Sequence, residues 1–195
     1  MHNLAHTAIV IKSSDYKEFD KTVRLFTLDG GMLSAVLKGV KRPNAKLKFA
    51  AQPFAFCEYT LNEKGGFYTV TGAAPLESFY ALASDPDGFV CASLMCEAVD
   101  YAVSTVPSPA VFVYLLKLFK AMLYGGKSPY AAAALCLTRL RENAGYGGDA
   151  FFKEMTPESL PDASQNATCL QVLKRAVSGF ENNLEVKLVA AKLLA

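Results

Sequence analysis

The first part of the chain consists of short apolar runs separated by turn residues, and this pattern predicts strands. Five short runs rich in β-branched and aromatic residues lie before about residue 76: TAIVIKS, TVRLFTL, MLSAVLK, PFAFCEYTL and FYTVTGA. The segments DGG and NEKGG each join two runs and predict hairpins, because glycine accepts positive φ. Five short antiparallel strands predict a closed barrel of the OB-fold kind, since closure removes exposed edges. An SH3-like barrel stays an alternative, because strand number alone does not separate the two.

The apolar period becomes helical after about Pro75. Three long helices are predicted in DPDGFVCASLMCEAVDYAVS, VPSPAVFVYLLKLFKAMLYGG and SPYAAAALCLTRLRENAGYGG. Ser128 is a candidate N-cap of the third helix, and Gly145 follows its end. Residues 147–164 predict a loop, and two more helices are expected near 165–179 and 183–194. We therefore predict an α+β, multidomain protein, with an OB-fold domain at 1–79 and an α-helical domain at 80–195.

Charge is distributed unevenly between these two parts. The chain has 195 residues, is 52% hydrophobic and carries a net charge of +2, which suits globular domains rather than disorder. Residues 1–79 hold ten cations and seven acids, whereas residues 80–195 hold ten cations and eleven acids. Five of the cations lie in LKGVKRPNAKLK at 37–48, which contains no acid: Lys38, Lys41, Arg42, Lys46 and Lys48. We call residues 38–48 the basic loop.

The basic loop has two interpretations. Charge runs are usually solvated, so its cations could simply remain in water. The neighbouring strands, however, carry Arg24, Phe26, Phe54 and Tyr59. Cations and aromatic rings on one surface bind single-stranded nucleic acid by phosphate neutralisation and base stacking. The three aromatic residues could instead fill the barrel core, and the sequence leaves this open.

Other function classes lack the residues they need. Both histidines lie within the first six residues, and no phosphate-binding GxxxxGK[ST] loop is present. We therefore expect no catalytic residues, no enzyme activity and no cofactor. The apolar runs near 110–116 and 129–138 are too short to cross a bilayer. We therefore expect no membrane partner. The five cysteines include no CxxC pair, and this predicts a protein of the reducing cytoplasm.

The segment YKEFDKTVRLFTLDGGMLSAVLKGVKRPNAKLKFAAQPFAFCEY resembles the N-terminal region of the RecO family of bacterial recombination mediators. The matching elements are the turn at 16–20, the LFT strand, the glycine hairpin, the Lys-Gly-Val-Lys-Arg run at 38–42 and QPF at 52–54. The resemblance continues more loosely to LTRLRENAGY, near residue 146. It thus covers roughly three quarters of the chain.

The resemblance implies a DNA repair and recombination mediator with an N-terminal OB-fold and a C-terminal helical domain. It implies non-specific binding of single- and double-stranded DNA, strand annealing and a cytoplasmic, nucleoid-associated location. The implied partners are RecR and the acidic C-terminal tail of single-stranded-DNA-binding protein, so that RecA can be loaded. The implied DNA contacts are Lys38, Lys41, Arg42 and Arg24, whereas Lys46 and Lys48 are predicted from charge alone. The alternative is a non-enzymatic adaptor whose basic loop and helical domain bind acidic proteins instead of DNA.

One departure from the family pattern concerns metal binding. Many RecO relatives carry paired cysteines in a zinc-finger-like insert after the third long helix. Here residues 147–169 offer only Cys169, while a structural zinc site normally needs four Cys or His ligands. We therefore expect this insert to be degenerate or absent, and we expect no metal.

Overall fold

A computed structural model describes residues 3–29, 31–103 and 108–194. Several residues named in the sequence predictions lie outside these ranges: His2, Gly30 of the first hairpin signal, and Ser104 and Pro107 at the ends of predicted helices. The chain divides into two compact units. The first comprises Met1–Tyr80 and Val103–Phe112, and the second comprises Ala81–Ala102 and Val113–Ala195. The predicted domains at 1–79 and 80–195 differ from this division, because Val103–Phe112 groups with the first unit.

Five strands form a closed barrel in the first unit. They are β1 (Asn3–Tyr16), β2 (Asp20–Thr27), β3 (Gly31–Leu37), β4 (Ala55–Lys64) and β5 (Phe67–Ser78). The strand order is β1-β2-β3-β5-β4, and β4 pairs with β1 to close the barrel. The β3–β5 pair is parallel, whereas the other pairs are antiparallel. This is the OB-fold arrangement, so the predicted fold is confirmed over the SH3-like alternative.

Strand alternation decides which side chains fill the barrel. Val23, Leu25 and Ala35 are fully or almost fully buried inside it. A register shift between Val10 and Lys12 makes β1 irregular. Because a one-residue shift reverses the side-chain direction, Val10 can be buried while Lys12, two residues later, is exposed.

Four α-helices follow the barrel strands along the chain. They are α1 (Pro86–Ala102), α2 (Pro109–Tyr124), α3 (Pro129–Asn143) and α4 (Asn166–Leu184). Ser128 caps α3 as predicted, since its side chain accepts a hydrogen bond from the Ala131 N–H group. Gly145 follows the helix with a φ of 85°. Proline at the first position and glycine beyond the end are the usual boundaries of such a helix.

Residues 147–164 form a loop with a short 3-10 turn at Ala150–Phe152, as predicted. The Arg139 guanidinium binds this loop by donating to the carbonyl oxygens of Phe152, Lys153 and Met155 at 3.0, 3.2 and 3.2 Å. Its other terminal nitrogen lies 2.7 Å from Glu142 Oε2. The Arg139 side chain of α3 thus holds three carbonyl groups of a loop that has little regular structure.

The prediction of a separate helix at 183–194 is wrong. The α4 helix continues to Leu184, and only Ala190–Leu193 forms a 3-10 turn. Glu185 ends α4 with a left-handed φ of 55°. The Glu181 carboxylate then accepts the Leu188 N–H group at 2.9 Å, and that of Glu97 accepts Val189 and Ala190 at 2.7 and 2.9 Å. These carboxylates satisfy backbone groups that a continuous helix would have paired internally.

Candidate nucleic-acid interface

The basic loop connects β3 to the 3-10 turn at Lys48–Ala51 and contacts the turn between β1 and β2. The Gly39 N–H group donates to Asp20 Oδ1 at 2.7 Å, and the Lys41 N–H group donates to the Phe19 carbonyl at 2.9 Å. Gly39 has a φ of +65°, a conformation that costs other L-residues energy. The glycine of the Lys-Gly-Val-Lys-Arg run therefore allows the loop to turn back onto β2.

An acidic residue from β1 lies among the cations of the basic loop. Lys41 Nζ is 2.8 Å from Asp15 Oδ2, and Lys21 Nζ is 3.8 Å from Asp15 Oδ1. The hydrogen bond from Lys41 is the main reason that the pKa of Asp15 is lowered. Residues 37–48 contain no acid, but Lys41 is compensated by Asp15, which lies 26 positions away in sequence and beside it in the fold.

Two cations of this region lie over exposed aromatic rings. The Arg42 guanidinium is 5.3 Å from the centroid of the Phe19 ring, and Lys17 Nζ is 5.2 Å from that of Tyr16. Tyr16 and Phe19 are 43% and 40% exposed. A cation within about 6 Å of a ring face is attracted by the ring quadrupole. The β1–β2 turn thus presents aromatic surface and positive charge together.

The remaining predicted loop residues differ in their contacts. Lys48 Nζ donates to the Pro43 carbonyl at 2.7 Å, so it closes the loop internally. Lys38 and Lys46 are exposed, and neither forms a hydrogen bond or ion pair with another of the described residues. The five cations are therefore not equivalent, and Lys38 and Lys46 reach solvent without an internal partner in the part of the chain that the structure describes.

Arg24 lies on the outer face of the barrel and not in the basic loop. It is partly buried in the middle of β2, and its Nη1 donates to Ser34 Oγ of β3 at 3.2 Å. On its other side it is opposite Lys12 of β1, which is exposed. Arg24 and Lys12 thus form a second cationic region on the strands that lead to the β1–β2 turn.

Arg24 is part of a row of outward-facing residues that crosses neighbouring strands of the barrel. The parallel pair of Ala35 and Tyr68 brings Phe67, one residue earlier in β5, beside Ser34, one residue earlier in β3. Phe67 is in turn opposite Lys64 of β4, which is exposed. We call this set the cross-strand row, and its members in spatial order are Lys12, Arg24, Ser34, Phe67 and Lys64. Sequence reasoning missed Lys12, Lys64 and Phe67, and only alternation within each strand could have indicated that they face outward.

The aromatic residues proposed from the sequence fill the core. Phe26 and Tyr59 are fully buried, and Phe54 is almost so. The Phe26 ring packs edge-on against Phe112 at a centroid distance of 5.2 Å. The Tyr59 hydroxyl donates to the Ala50 carbonyl at 2.9 Å. None of these three rings can stack on a nucleotide base, and the exposed rings near the cations are Tyr16, Phe19 and Phe67.

Residues 1–79 match the family model described as "Recombination protein O N terminal". These residues are therefore an N-terminal domain of the RecO family. The chain is also similar to proteins named DNA repair protein RecO. That of Heliobacterium modesticaldum is 42% identical over 93 residues, which are 48% of this chain and 34% of the relative. That of Clostridium novyi is 32% identical over 143 residues, which are 73% of this chain and 56% of the relative.

The matched RecO relatives are longer than the region they share with this chain. The protein from Desulfitobacterium hafniense is 37% identical over 106 residues, which are 54% of this chain and 39% of the relative. The chain therefore spans between about a third and about three fifths of the length of these relatives. The match to the N-terminal model covers the barrel strands, the basic loop and the cross-strand row.

Residues 147–169 are the segment in which the family resemblance implies a zinc-finger-like insert for many relatives. Cys169, the one cysteine in 147–169, is buried in α4. No group of three or more His, Cys, Asp or Glu side chains among the described residues is placed to hold a metal ion. Likewise, no helix within 3–29, 31–103 and 108–194 has the length and apolarity needed to span a membrane.

Proposed function

We propose that this chain is a non-enzymatic mediator of DNA repair and recombination, and that its barrel binds single- and double-stranded DNA without sequence preference. The observation that carries this proposal is the position of the cations. The basic loop and the cross-strand row lie on an OB-fold barrel, whose β2–β3 face and β1–β2 and β4–β5 turns commonly bind oligonucleotides. Lys38, Lys41, Arg42 and Arg24 are the principal contacts, and Lys46 is a further one.

The proposed mechanism is electrostatic. Each cation that contacts a phosphate releases a condensed counterion, and this release favours binding. Neutralising the backbone also reduces the repulsion between two strands, so the same surface would promote annealing. Lys48 contributes less to this mechanism than its charge suggests, because its ammonium group already donates to the Pro43 carbonyl.

The wider role is proposed from the family. The relatives are named DNA repair proteins, which is consistent with a role in recombinational repair in the bacterial cytoplasm, near the nucleoid. RecR, the acidic tail of single-stranded-DNA-binding protein and, indirectly, RecA are the partners that the family resemblance suggests. The helical unit would then provide surfaces for protein partners while the barrel binds DNA.

A salt titration tests the DNA contacts. Each phosphate contact with a single strand contributes about −0.7 to the slope of log K against log salt. The triple variant Lys38→Ala, Lys41→Ala, Arg42→Ala should therefore flatten the slope, measured by fluorescence anisotropy with a labelled oligonucleotide. The change should be about 1.4 if Asp15 keeps Lys41 from phosphate, and about 2 if DNA displaces Asp15 from Lys41. A matched control replaces three exposed lysines of the second unit, Lys117, Lys120 and Lys174, and should change the slope less. A folded triple variant with the wild-type slope would exclude the basic loop as a DNA contact.

The adaptor alternative is supported by one contact. Lys41 already binds a carboxylate, that of Asp15, at 2.8 Å, so the basic loop can accept acidic protein groups. An acidic peptide and an oligonucleotide should therefore be titrated separately against the same triple variant. If the substitutions weaken only peptide binding, the loop serves an acidic protein partner. If they weaken DNA binding, the repair function is supported.

A further inference from the structure

Phe67 is the most exposed large hydrophobic side chain among the described residues, at 79%. It begins β5, directly after the two glycines of the β4–β5 turn. Aromatic side chains usually bury a large apolar area in a core or an interface, as Phe26, Phe54 and Tyr59 do in this unit. The exposed ring of Phe67 is therefore available for contact with a ligand.

The neighbours of Phe67 indicate the charge of that ligand. In the cross-strand row, Lys64 lies on one side of Phe67, and Ser34 and Arg24 lie on the other. Lys12 completes the row on β1. Adjacent strands are about 4.8 Å apart, so Arg24 is roughly 10 Å from Phe67 across the sheet. The Phe67 ring thus lies between the cations Lys64 and Arg24. This arrangement suits single-stranded nucleic acid, in which planar bases can stack on a ring while phosphates contact the cations.

A second aromatic position lies farther along the same strands. The β1–β2 turn carries Phe19 with Arg42 over its ring, and Asp20 begins β2 four residues before Arg24. Four residues of an antiparallel strand extend about 14 Å. The distance from the cross-strand row to this turn therefore suits a few nucleotides, comparable with the shortest sites of OB-folds, about four nucleotides.

We propose that Phe67 stacks on a base of single-stranded DNA, that Phe19 provides a second stacking position, and that these contacts make the barrel face prefer single strands to duplex. This inference rests on the proposed function, because it assumes that the cations of the same face bind the backbone. In a duplex the bases are paired and stacked on each other, so neither ring can reach a base face without unstacking it. Stacking contributes about 5- to 150-fold to affinity per base, independent of sequence.

The test compares three DNAs at constant salt: a single-stranded oligonucleotide, the same strand with abasic sites, and its duplex. Phe67→Ala should weaken binding of the single strand by at least about 5-fold and should weaken binding of the abasic strand and the duplex much less. Phe67→Trp should retain single-strand affinity, because indole also stacks. Leu76→Ala is the matched control, since Leu76 is another exposed hydrophobic residue of β5, at 51%, and should change none of the affinities.

The outcomes separate this inference from the proposed function. If Phe67→Ala weakens all three DNAs equally, or none of them, the stacking role is wrong even though the cations bind DNA. The salt slope of Phe67→Ala should equal that of the wild type, because no charge has been removed. If the wild-type protein binds none of the three DNAs, both the proposed function and the stacking role are overturned.

Discussion

Replacing Asp15 with asparagine should strengthen DNA binding, although Asp15 is outside the basic loop. Its carboxylate lies 2.8 Å from Lys41 Nζ and 3.8 Å from Lys21 Nζ, so it occupies the position that a phosphate oxygen would take. If these lysines bind DNA as proposed, the DNA must displace this carboxylate or share the lysines with it. Asparagine is similar in shape and still accepts a hydrogen bond, but it carries no charge.

The magnitude follows from counterion release. If Lys41 changes from paired with Asp15 to fully available, one further phosphate is neutralised, and the slope of log K against log salt on a single strand should steepen by about 0.7. If Lys21 is also released, the change should be about 1.4. The increase in affinity should be largest at low salt and should decrease as salt screens the charges.

The assay is the same anisotropy titration with a labelled single strand, repeated at several salt concentrations. Asp29→Asn is the control, because Asp29 is an exposed acid of the β2–β3 turn that pairs with His6 at 2.9 Å and not with a lysine of the basic loop. The control changes the net charge by the same amount and should leave the slope unchanged. If Asp15→Asn and Asp29→Asn have equal effects, only total charge matters, and the inference that Asp15 competes with phosphate is refuted.

The pH dependence of this competition has a definite sign. Hydrogen bonding from Lys41 lowers the pKa of Asp15, so the carboxylate stays ionised at neutral pH. Its ion pair with Lys41 is present above the ordinary pKa of an aspartate and is lost as the pH falls through the lowered value. The difference between the wild type and Asp15→Asn should therefore be constant around neutral pH and disappear only in strong acid.

Three further substitutions test how the fold supports the site. Tyr59→Phe removes the buried hydrogen bond to the Ala50 carbonyl and should cost about 1–2 kcal/mol of unfolding free energy, measured by denaturant titration. Gly39→Ala should cost about 1–2 kcal/mol because of its φ of +65°, and retained stability would show that the loop can turn in another way. Arg139→Lys keeps the charge but cannot reach the three loop carbonyls together, so amide hydrogen exchange of residues 150–155 should accelerate while that of the barrel stays unchanged.

The local parts of the fold could be predicted from the sequence. The two hairpins and the N-cap at Ser128 each depend on a few neighbouring residues whose backbone preferences are known. The basic loop could be located because its charges are contiguous. The end of α4 was missed because Glu185, a residue without a strong preference for left-handed φ, occupies that conformation in the structure.

The non-local parts of the site required the structure. Asp15 reaches Lys41 only because β1 and the basic loop meet at the same end of the barrel, and no pattern in residues 38–48 indicates it. Likewise, Phe67 joins Arg24 through the parallel β3–β5 pair, which brings together positions more than forty residues apart. A register different by one residue in either strand would turn Phe67 or Ser34 toward the core.

These non-local contacts change which residues are expected to discriminate between DNA forms. The basic loop contributes charge, and phosphate charge is common to single strands and duplexes, so its cations alone provide little preference between them. Preference for a single strand requires contact with bases, and the rings first considered for it, Phe26, Phe54 and Tyr59, are buried. If the barrel prefers single strands, the exposed rings at its turns are the candidates for that preference, and Phe67 is the most accessible of them. If the barrel binds DNA as proposed, affinity and strand preference should therefore depend on different residues and respond separately to substitution.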